Sequence, residues 1–237
     1  MSILEALGVI LMSAAGSLVQ GSVGIGLSLV AAPALIAIDA DYAPGPLMAG
    51  GVIVSFRHFV AERQHAKGSD LRSLFIGLPF GLAAGITFIL IADTRLLSIV
   101  IGVTIVIFAS VLLAGARVQR SPWSLSLVGA ATAFTSSTAA LPGPPLALAF
   151  SDVEGPRLRG TVGTCVCALA TMLFIALIPA GKFGLDELKL LAIMLPGLAI
   201  GLGLSNWARP YLDRSWLRPA ILILSAAGGL TLILRNV

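Results

Sequence analysis

Charged residues are scarce in this sequence. Asp, Glu, Lys and Arg make up 11% of its 237 residues, whereas they make up about 25% of a soluble domain. Hydrophobic residues make up 57%, the mean hydropathy is +1.01, and no polar stretch is long enough for a separate soluble domain. The composition therefore predicts an integral membrane protein. The net charge of +4 fits the basic loops that orient membrane proteins, and no nucleic-acid partner is expected.

Acidic residues are missing from the middle of every predicted membrane segment. All 11 of them lie near a predicted segment end. Cation and metal pathways usually place Asp or Glu within the membrane, so this absence favours an anion as the transported species.

Signatures of catalysis and of nucleotide binding are also missing. The sequence contains no Walker loop, Gly-x-Ser-x-Gly, His-Glu-x-x-His or Cys-x-x-Cys. Its two cysteines, Cys165 and Cys167, have a spacing that puts them on different sides of a helix. No enzymatic activity, cofactor or metal site is therefore predicted, and transport would be passive or driven by a gradient.

Two apolar stretches broken by Gly and Pro stand out from this background, one in each half of the chain. The first break is 20–26, Gln-Gly-Ser-Val-Gly-Ile-Gly, and a short apolar run follows it to residue 38. The second contains Thr135 to Thr138 and then 141–145, Leu-Pro-Gly-Pro-Pro. Backbone leaves the helix inside a membrane only where protein or a water-filled cavity satisfies its polar groups. Paired breaks of this kind indicate the binding site of a transporter.

The apolar segments repeat in the same order in both halves. Segments 27–38 and 146–150 are shorter than the roughly 20 residues that cross a bilayer, so each reads as the second arm of a hairpin. Gly45-Pro46 before the first long segment recurs as Gly155-Pro156. The predicted segments are 3–19, 27–38, 46–62, 71–92 and 96–116 in the first half, and 123–140, 146–150, 158–180, 185–207 and 216–234 in the second.

A hairpin followed by three crossings gives each half an odd number of crossings, so the halves should have opposite orientations. The predicted fold is an all-α polytopic membrane protein of two inverted repeats, each a broken-helix, re-entrant-like hairpin plus three transmembrane helices. Residues 1–116 form the first repeat, 117–122 a cytoplasmic linker and 123–237 the second repeat.

The basic residues favour one orientation of this topology. With the N-terminus outside, ten Lys and Arg residues lie on the cytoplasmic side and four on the outer side, which satisfies the positive-inside rule. Both termini are therefore predicted outside, in the cytoplasmic (inner) membrane of a bacterium. The cytoplasmic set is Arg63, Lys67, Arg72, Arg117, Arg120, Arg157, Arg159, Arg209, Arg214 and Arg218, and the outer set is Arg95, Lys182, Lys189 and Arg235.

The breaks supply most of the candidate substrate-binding residues. Glycines let the backbone approach a ligand closely, a helix N-terminus attracts anions, and amide or hydroxyl groups can bond anion oxygens. The alternatives are purely structural kinks, and hydroxyls that bond back to helix carbonyls. The candidates at the breaks are Gln20, Gly21, Ser22, Gly24, Gly26, Ser136, Ser137, Thr138, Gly143 and Pro144.

Arg57 and His58 are the basic candidates, because both lie inside the predicted segment 46–62. A charged side chain within the membrane is a functional candidate by default. Arg57 could hold an oxyanion with two hydrogen bonds, and His58 could couple transport to protons. The alternatives are an arginine that extends to the interface and a histidine that only packs.

Residues 20–26 with Pro33-Ala34-Leu35, Gly143-Pro144-Pro145-Leu146 and Arg159-Gly160-Thr161 resemble signatures of the sulfite exporter TauE/SafE family, also called the toluene-sulfonate uptake permease group. The resemblance covers essentially the whole chain. It implies a multi-pass permease of sulfur-containing anions such as sulfite, sulfoacetate and other sulfonates.

The functional prediction is a secondary transporter of small anions that works by alternating access. The expected partners are the anionic substrate, the lipid bilayer, protons as a candidate coupling ion and a second copy of the chain in a candidate homodimer. Two alternatives remain open: a passive anion channel of the same architecture, and a membrane subunit that scaffolds a larger complex.

Overall fold

The computed structural model describes residues 2–153, 155–178, 184–212 and 217–236. These residues form ten α-helices and no strand, which confirms the all-α prediction. Four of the charged residues counted above lie outside them: Lys182, Arg214, Glu154 and Asp213. The helices are α1 Ile3–Val23, α2 Leu27–Ile38, α3 Gly45–Glu62, α4 Gly68–Ile91, α5 Thr94–Leu113, α6 Pro122–Ala139, α7 Gly143–Ala149, α8 Gly155–Leu177, α9 Leu185–Leu212 and α10 Leu217–Asn236.

Five of the described helices are long and apolar enough to cross a membrane, by length and composition: α1, α4, α5, α8 and α9. Helix α10, which corresponds to the predicted segment 216–234, is not among the five. Helices α3 and α6, predicted to be membrane segments as well, have 18 residues each and are also not among the five. Both are largely buried in the bundle, so their polar side chains contact protein. Large apolar side chains such as Phe80 and Leu11 cover the outside of the bundle, as a polytopic membrane protein requires.

The breaks are narrower than the sequence predicted. Residues 20–23 belong to α1, and Thr135 to Thr138 belong to α6, because each continues the helical hydrogen-bonding pattern. Only 24–26 and 140–142 leave the helix. A hydroxyl-rich sequence does not stop a helix when its side chains bond back to the preceding turn, which is what the hydroxyls of α6 do.

Each predicted hairpin, α1–α2 in the first half and α6–α7 in the second, packs against the other half of the chain. Helix α1 lies along α9, and α6 lies along α4, while α3 pairs with α8 and α5 with α10. If α1 to α5 are exchanged in order with α6 to α10, the same four helix pairs result. The division into repeats at 1–116 and 123–237 stays a prediction, and an inverted repeat would produce this pattern.

Glycines allow the long helices to approach at backbone distance. A Cβ added to Gly77 or Gly81 of α4 would lie 1.8 Å from a carbonyl oxygen of α6. A Cβ at Gly197 or Gly201 of α9 would lie 2.2 Å from a carbonyl oxygen of α1. Small residues at four-residue spacing allow this kind of contact between membrane helices, and here they fix the hairpins against α4 and α9.

Candidate functional site

The two breaks meet inside the bundle. Ser28 Oγ, in the first turn of α2, donates a hydrogen bond to the carbonyl of Ala140, which lies 112 residues away at the end of α6. Gly143, at the start of α7, lies so close to the first break that an added Cβ would come 2.2 Å from Ile25 Cγ2. The fold thus brings both predicted breaks into one place.

Each break begins with one residue in the left-handed region. Gly24, with φ of 101°, caps the C-terminus of α1, and its N–H donates to the Gln20 carbonyl at 2.7 Å. Ala140, with φ of 53°, caps the C-terminus of α6, and its N–H donates to the Ser136 carbonyl at 2.9 Å. A left-handed residue is a common way to end a helix, and at both positions it turns the chain toward the short second arm.

A small cavity lies where the breaks meet. Its walls are mostly apolar, with the Gln20 amide, the Ser28 hydroxyl and backbone as the polar groups. The first half contributes Gln20, Gly24, Ile25, Gly26, Ser28 and Leu29, and the second half contributes Leu141, Pro142, Gly143, Pro144, Val162 and Val166. Five of the predicted site residues therefore line one cavity: Gln20, Gly24, Gly26, Gly143 and Pro144.

The Gln20 amide holds three elements together at this cavity. Its Oε1 accepts from the N–H of Leu27 at 3.0 Å, at the start of α2. Its Nε2 donates to the Gly51 carbonyl at 3.1 Å and to Ser55 Oγ at 2.9 Å, both on α3. Gln20 therefore positions the first break, and both donor hydrogens of its amide already have acceptors.

The hydroxyls of α6 are turned toward their own helix. Ser136 donates to the Thr132 carbonyl at 2.5 Å, Ser137 to the Ala133 carbonyl at 2.8 Å, and Thr138 to the Phe134 carbonyl at 2.8 Å. These three predicted site residues are buried and do not line the cavity. An anion would have to rotate their hydroxyl groups to receive a hydrogen bond from them.

Three other predicted site residues converge on Ser205 of α9 rather than on the cavity. Arg57 Nη1 donates to Ser205 Oγ at 3.2 Å and to the Leu202 carbonyl at 3.0 Å. Ser22 Oγ donates to the Ser205 carbonyl at 2.9 Å. Gly21 packs so closely that an added Cβ would lie 2.7 Å from Ser205 Cβ. This cluster ties α1 and α3 to α9.

His58 lies on the face of α3 that packs inside the bundle. Its side chain is 1% exposed, and its Nε2 lies 3.2 Å from the carbonyl oxygen of Gln20. His58 therefore contacts the backbone of the first break without lining the cavity.

The two helix N-termini at the cavity differ in what they offer an anion. Helix α2 has 12 residues, and its first turn, with Ser28 and Leu29, faces the cavity. Helix α7 has seven residues and carries Pro144 and Pro145 in its first turn. Proline has no N–H to donate, so the positive end of α2 is the stronger electrostatic feature.

Residues 9–232 match a family model described as sulfite exporter TauE/SafE. The chain belongs to this family. The match confirms the resemblance noted in the sequence, and it implies a membrane exporter or permease of sulfite or related sulfur anions rather than an enzyme. Searches of curated proteins and of solved structures returned no significant match.

Sequence reasoning missed two residues that organise the candidate site of this TauE/SafE chain. Ser28 follows the first break directly, and a hydroxyl in the first turn of a short helix was a usable signal. Ser205 continues the small-residue spacing of Gly197 and Gly201 on α9, which marks a close helix contact. Its convergence with Arg57 depends on the fold and had no local signal.

Proposed function

We propose that this chain is a secondary transporter of small sulfur-containing anions such as sulfite, sulfoacetate or other organosulfonates, and that it works by alternating access. Membership of the TauE/SafE family supports a membrane exporter or permease of this substrate class. The proposal adds the transport mechanism and the location of the binding site.

The observation that carries the proposal is the meeting of the two breaks in one cavity. Non-helical backbone inside a membrane protein is tolerated where it lines a cavity, and transporters bind substrate where two discontinuous helices meet. The contacts of Ser28 with Ala140 and of Gly143 with Ile25 join the breaks of both halves. The binding site proposed here is this cavity.

The electrostatics of the cavity lining favour an anion. None of its lining residues in the described part of the chain carries a carboxylate. The first turn of α2 presents the positive end of a helix dipole. A small oxyanion is therefore a better occupant than a metal or organic cation.

The proposal includes the topology inferred from the sequence. The repeats are 1–116 and 123–237, joined by the linker 117–122, and they alternate between two arrangements around the cavity. The protein lies in the bacterial cytoplasmic membrane with both termini outside. Proton coupling, with His58 as the titrating candidate, and a homodimer stay predictions.

Transport by the purified full chain in liposomes tests the proposal. Radiolabelled sulfite uptake should saturate and should be inhibited by sulfoacetate and other organosulfonates, and acceleration by a pH gradient would show proton coupling. Uptake that does not saturate or respond to a gradient would favour a passive channel. No uptake across sulfite, sulfonates, thiosulfate and carboxylates would contradict transport by the isolated chain and favour the scaffold alternative.

Gly143→Val and Gly203→Val form a matched pair for the cavity. A valine at 143 would overlap Ile25 and displace the first break, because an added Cβ lies 2.2 Å from Ile25 Cγ2, whereas an added Cβ at Gly203 meets nothing within 4 Å. The first variant should lose saturable uptake and the second should keep it. Equal uptake by both variants would place the substrate elsewhere.

A further inference from the structure

A partly buried ion pair lies beside the cavity and joins the two halves of the chain. Arg159 Nε donates to Glu62 Oε2 at 2.7 Å, and Arg159 Nη2 donates to Glu62 Oε1 at 2.9 Å. The side chains are 12% and 13% exposed. This is the two-bond geometry with which a guanidinium binds a planar oxyanion.

Helix α8 places Arg159 on the side that faces the cavity. Val162 and Val166 line the cavity, and they follow Arg159 by three and seven residues, a spacing that puts all three on one helix face. Gly24, which also lines the cavity, packs against Arg159, because an added Cβ would lie 2.9 Å from Arg159 Cγ. The backbone of Arg159 is therefore about one helical turn from Val162 in the cavity wall.

Glu62 approaches from the other half, where α3 ends. The backbones of α3 and α8 are close here, since a Cβ added to Gly160 would lie 2.2 Å from the Glu62 carbonyl oxygen. The bonds to Glu62 use Nε and Nη2 of Arg159, whereas a guanidinium has five N–H donors. An oxyanion in the cavity could thus approach Arg159 before the carboxylate leaves.

We propose that Arg159 is the counter-charge of the transported anion, and that Glu62 is the resting partner which the anion displaces. This inference rests on the function proposed above. Sulfite and sulfonate present several oxygens to a guanidinium, as a carboxylate presents two, so one can replace the other without leaving Arg159 unpaired.

The exchange would couple binding to movement of the halves. In the resting state the ion pair ties α3 to α8. When the anion accepts the hydrogen bonds of the Arg159 guanidinium in place of Glu62, α3 and α8 lose this ion pair. The Glu62 carboxylate is then free to turn toward water. A ligand shifts a conformational equilibrium through contacts that differ between the two states, and this exchange is such a difference.

Binding of radiolabelled sulfite to the purified full chain tests the exchange through Glu62→Gln. This variant removes the competing carboxylate, so the dissociation constant for sulfite should fall about tenfold, in line with the strength of a hydrogen bond to a charged group. Asp70→Asn is the matched control. Asp70 accepts from Arg157 Nη2 at 3.0 Å, and Arg157 lies two residues before Arg159, about 200° around α8, so sulfite affinity should stay unchanged.

The double variant Glu62→Gln/Arg159→Gln separates a binding role from a structural one. It removes both charges together and so avoids an unpaired buried charge, and size-exclusion chromatography checks that it stays monodisperse. It should show no saturable sulfite binding at concentrations about a hundredfold above the wild-type dissociation constant.

The outcomes distinguish this inference from the proposed function. If the wild type binds sulfite and both Glu62→Gln and the double variant bind it with unchanged affinity, the exchange is wrong and the transporter proposal stands. If the wild type binds neither sulfite nor any sulfonate, thiosulfate or carboxylate, the proposed function fails and the exchange fails with it.

Discussion

Gln20 is the residue whose role differs most between sequence and structure. The sequence marked it as a ligand for the anion, whereas its amide bridges Leu27, Gly51 and Ser55. Gln20→Glu keeps the size but replaces the donor with an acceptor facing the Gly51 carbonyl. We expect a loss of about 1–3 kcal/mol in the free energy of unfolding, measured by denaturant titration in detergent. Gln119→Glu, at an exposed position in the linker, should cause no change, and equal stability of both variants would contradict the bridging role.

The left-handed residues at the two breaks should respond differently to substitution. Gly24 has φ of 101° and packs on Arg159, so Gly24→Ala should lower the unfolding free energy by about 1–3 kcal/mol. Ala140 already has a side chain at φ of 53°. Ala140→Gly removes backbone strain, which is stabilising, and a buried methyl group, which is destabilising. The free energy of unfolding should therefore change by no more than about 1 kcal/mol. Thermal unfolding of both variants measures the difference, and a tolerated Gly24→Ala would contradict the geometry of the first break.

Arg57 joins α3 to α9 outside the cavity, so its substitution tests whether this contact is needed for transport. Its guanidinium bonds to Leu202 and Ser205 on α9, and Arg57→Leu removes both the charge and these bonds. We expect sulfite transport in liposomes to be abolished, while Arg72→Leu, at an exposed position on α4, should keep normal rates. Normal transport by Arg57→Leu would show that transport does not need the contact of Arg57 with α9.

At the scale of elements, close packing of the hairpins depends on glycine. Gly197 and Gly203 lie on the same helix, but an added Cβ would meet the Ile10 carbonyl oxygen at 2.2 Å from Gly197 and nothing within 4 Å from Gly203. Gly197→Ala should therefore destabilise the fold by about 1–3 kcal/mol through overpacking. Gly203→Ala should be neutral or slightly stabilising because alanine favours the helix. Thermal unfolding in detergent compares them, and a neutral Gly197→Ala would contradict the α1–α9 contact.

The elements were largely predictable because their signals are local. Predicted segments 71–92 and 185–207 correspond to α4 Gly68–Ile91 and α9 Leu185–Leu212, since apolar runs and flanking turns set a helix directly. The exact limits of the two breaks were not predictable. Residues 20–23 stay helical with bonds to α3 and α9, and no local sequence pattern records those bonds. The pairing of Glu62 with Arg159 joins residues 97 positions apart, and it depends on the packing of α3 against α8.

At the scale of the whole molecule, the ion pairs tie the halves together at one end of the bundle. Glu62 bonds to Arg159 and Asp70 bonds to Arg157, where α3 ends and where α4 and α8 begin. The linker 117–122 lies next to the α7–α8 connection, because Arg120 bonds to Asp152. Several of the basic residues assigned to the cytoplasmic side thus gather around contacts between the halves.

Both termini should lie outside the cytoplasm, because the orientation with the fewest positive charges to translocate is favoured. Ten Lys and Arg residues lie on the inner side of this topology and four on the outer side. Alkaline phosphatase fused to the C-terminus should therefore be active, since the enzyme needs the oxidising environment outside the cytoplasm to form its disulfides. The same reporter fused after Arg117, in the linker, should be inactive. The opposite orientation would give an inactive phosphatase and a fluorescent green fluorescent protein when each is fused to the C-terminus. In that case the end of the bundle that holds the Arg159–Glu62 pair would face outward.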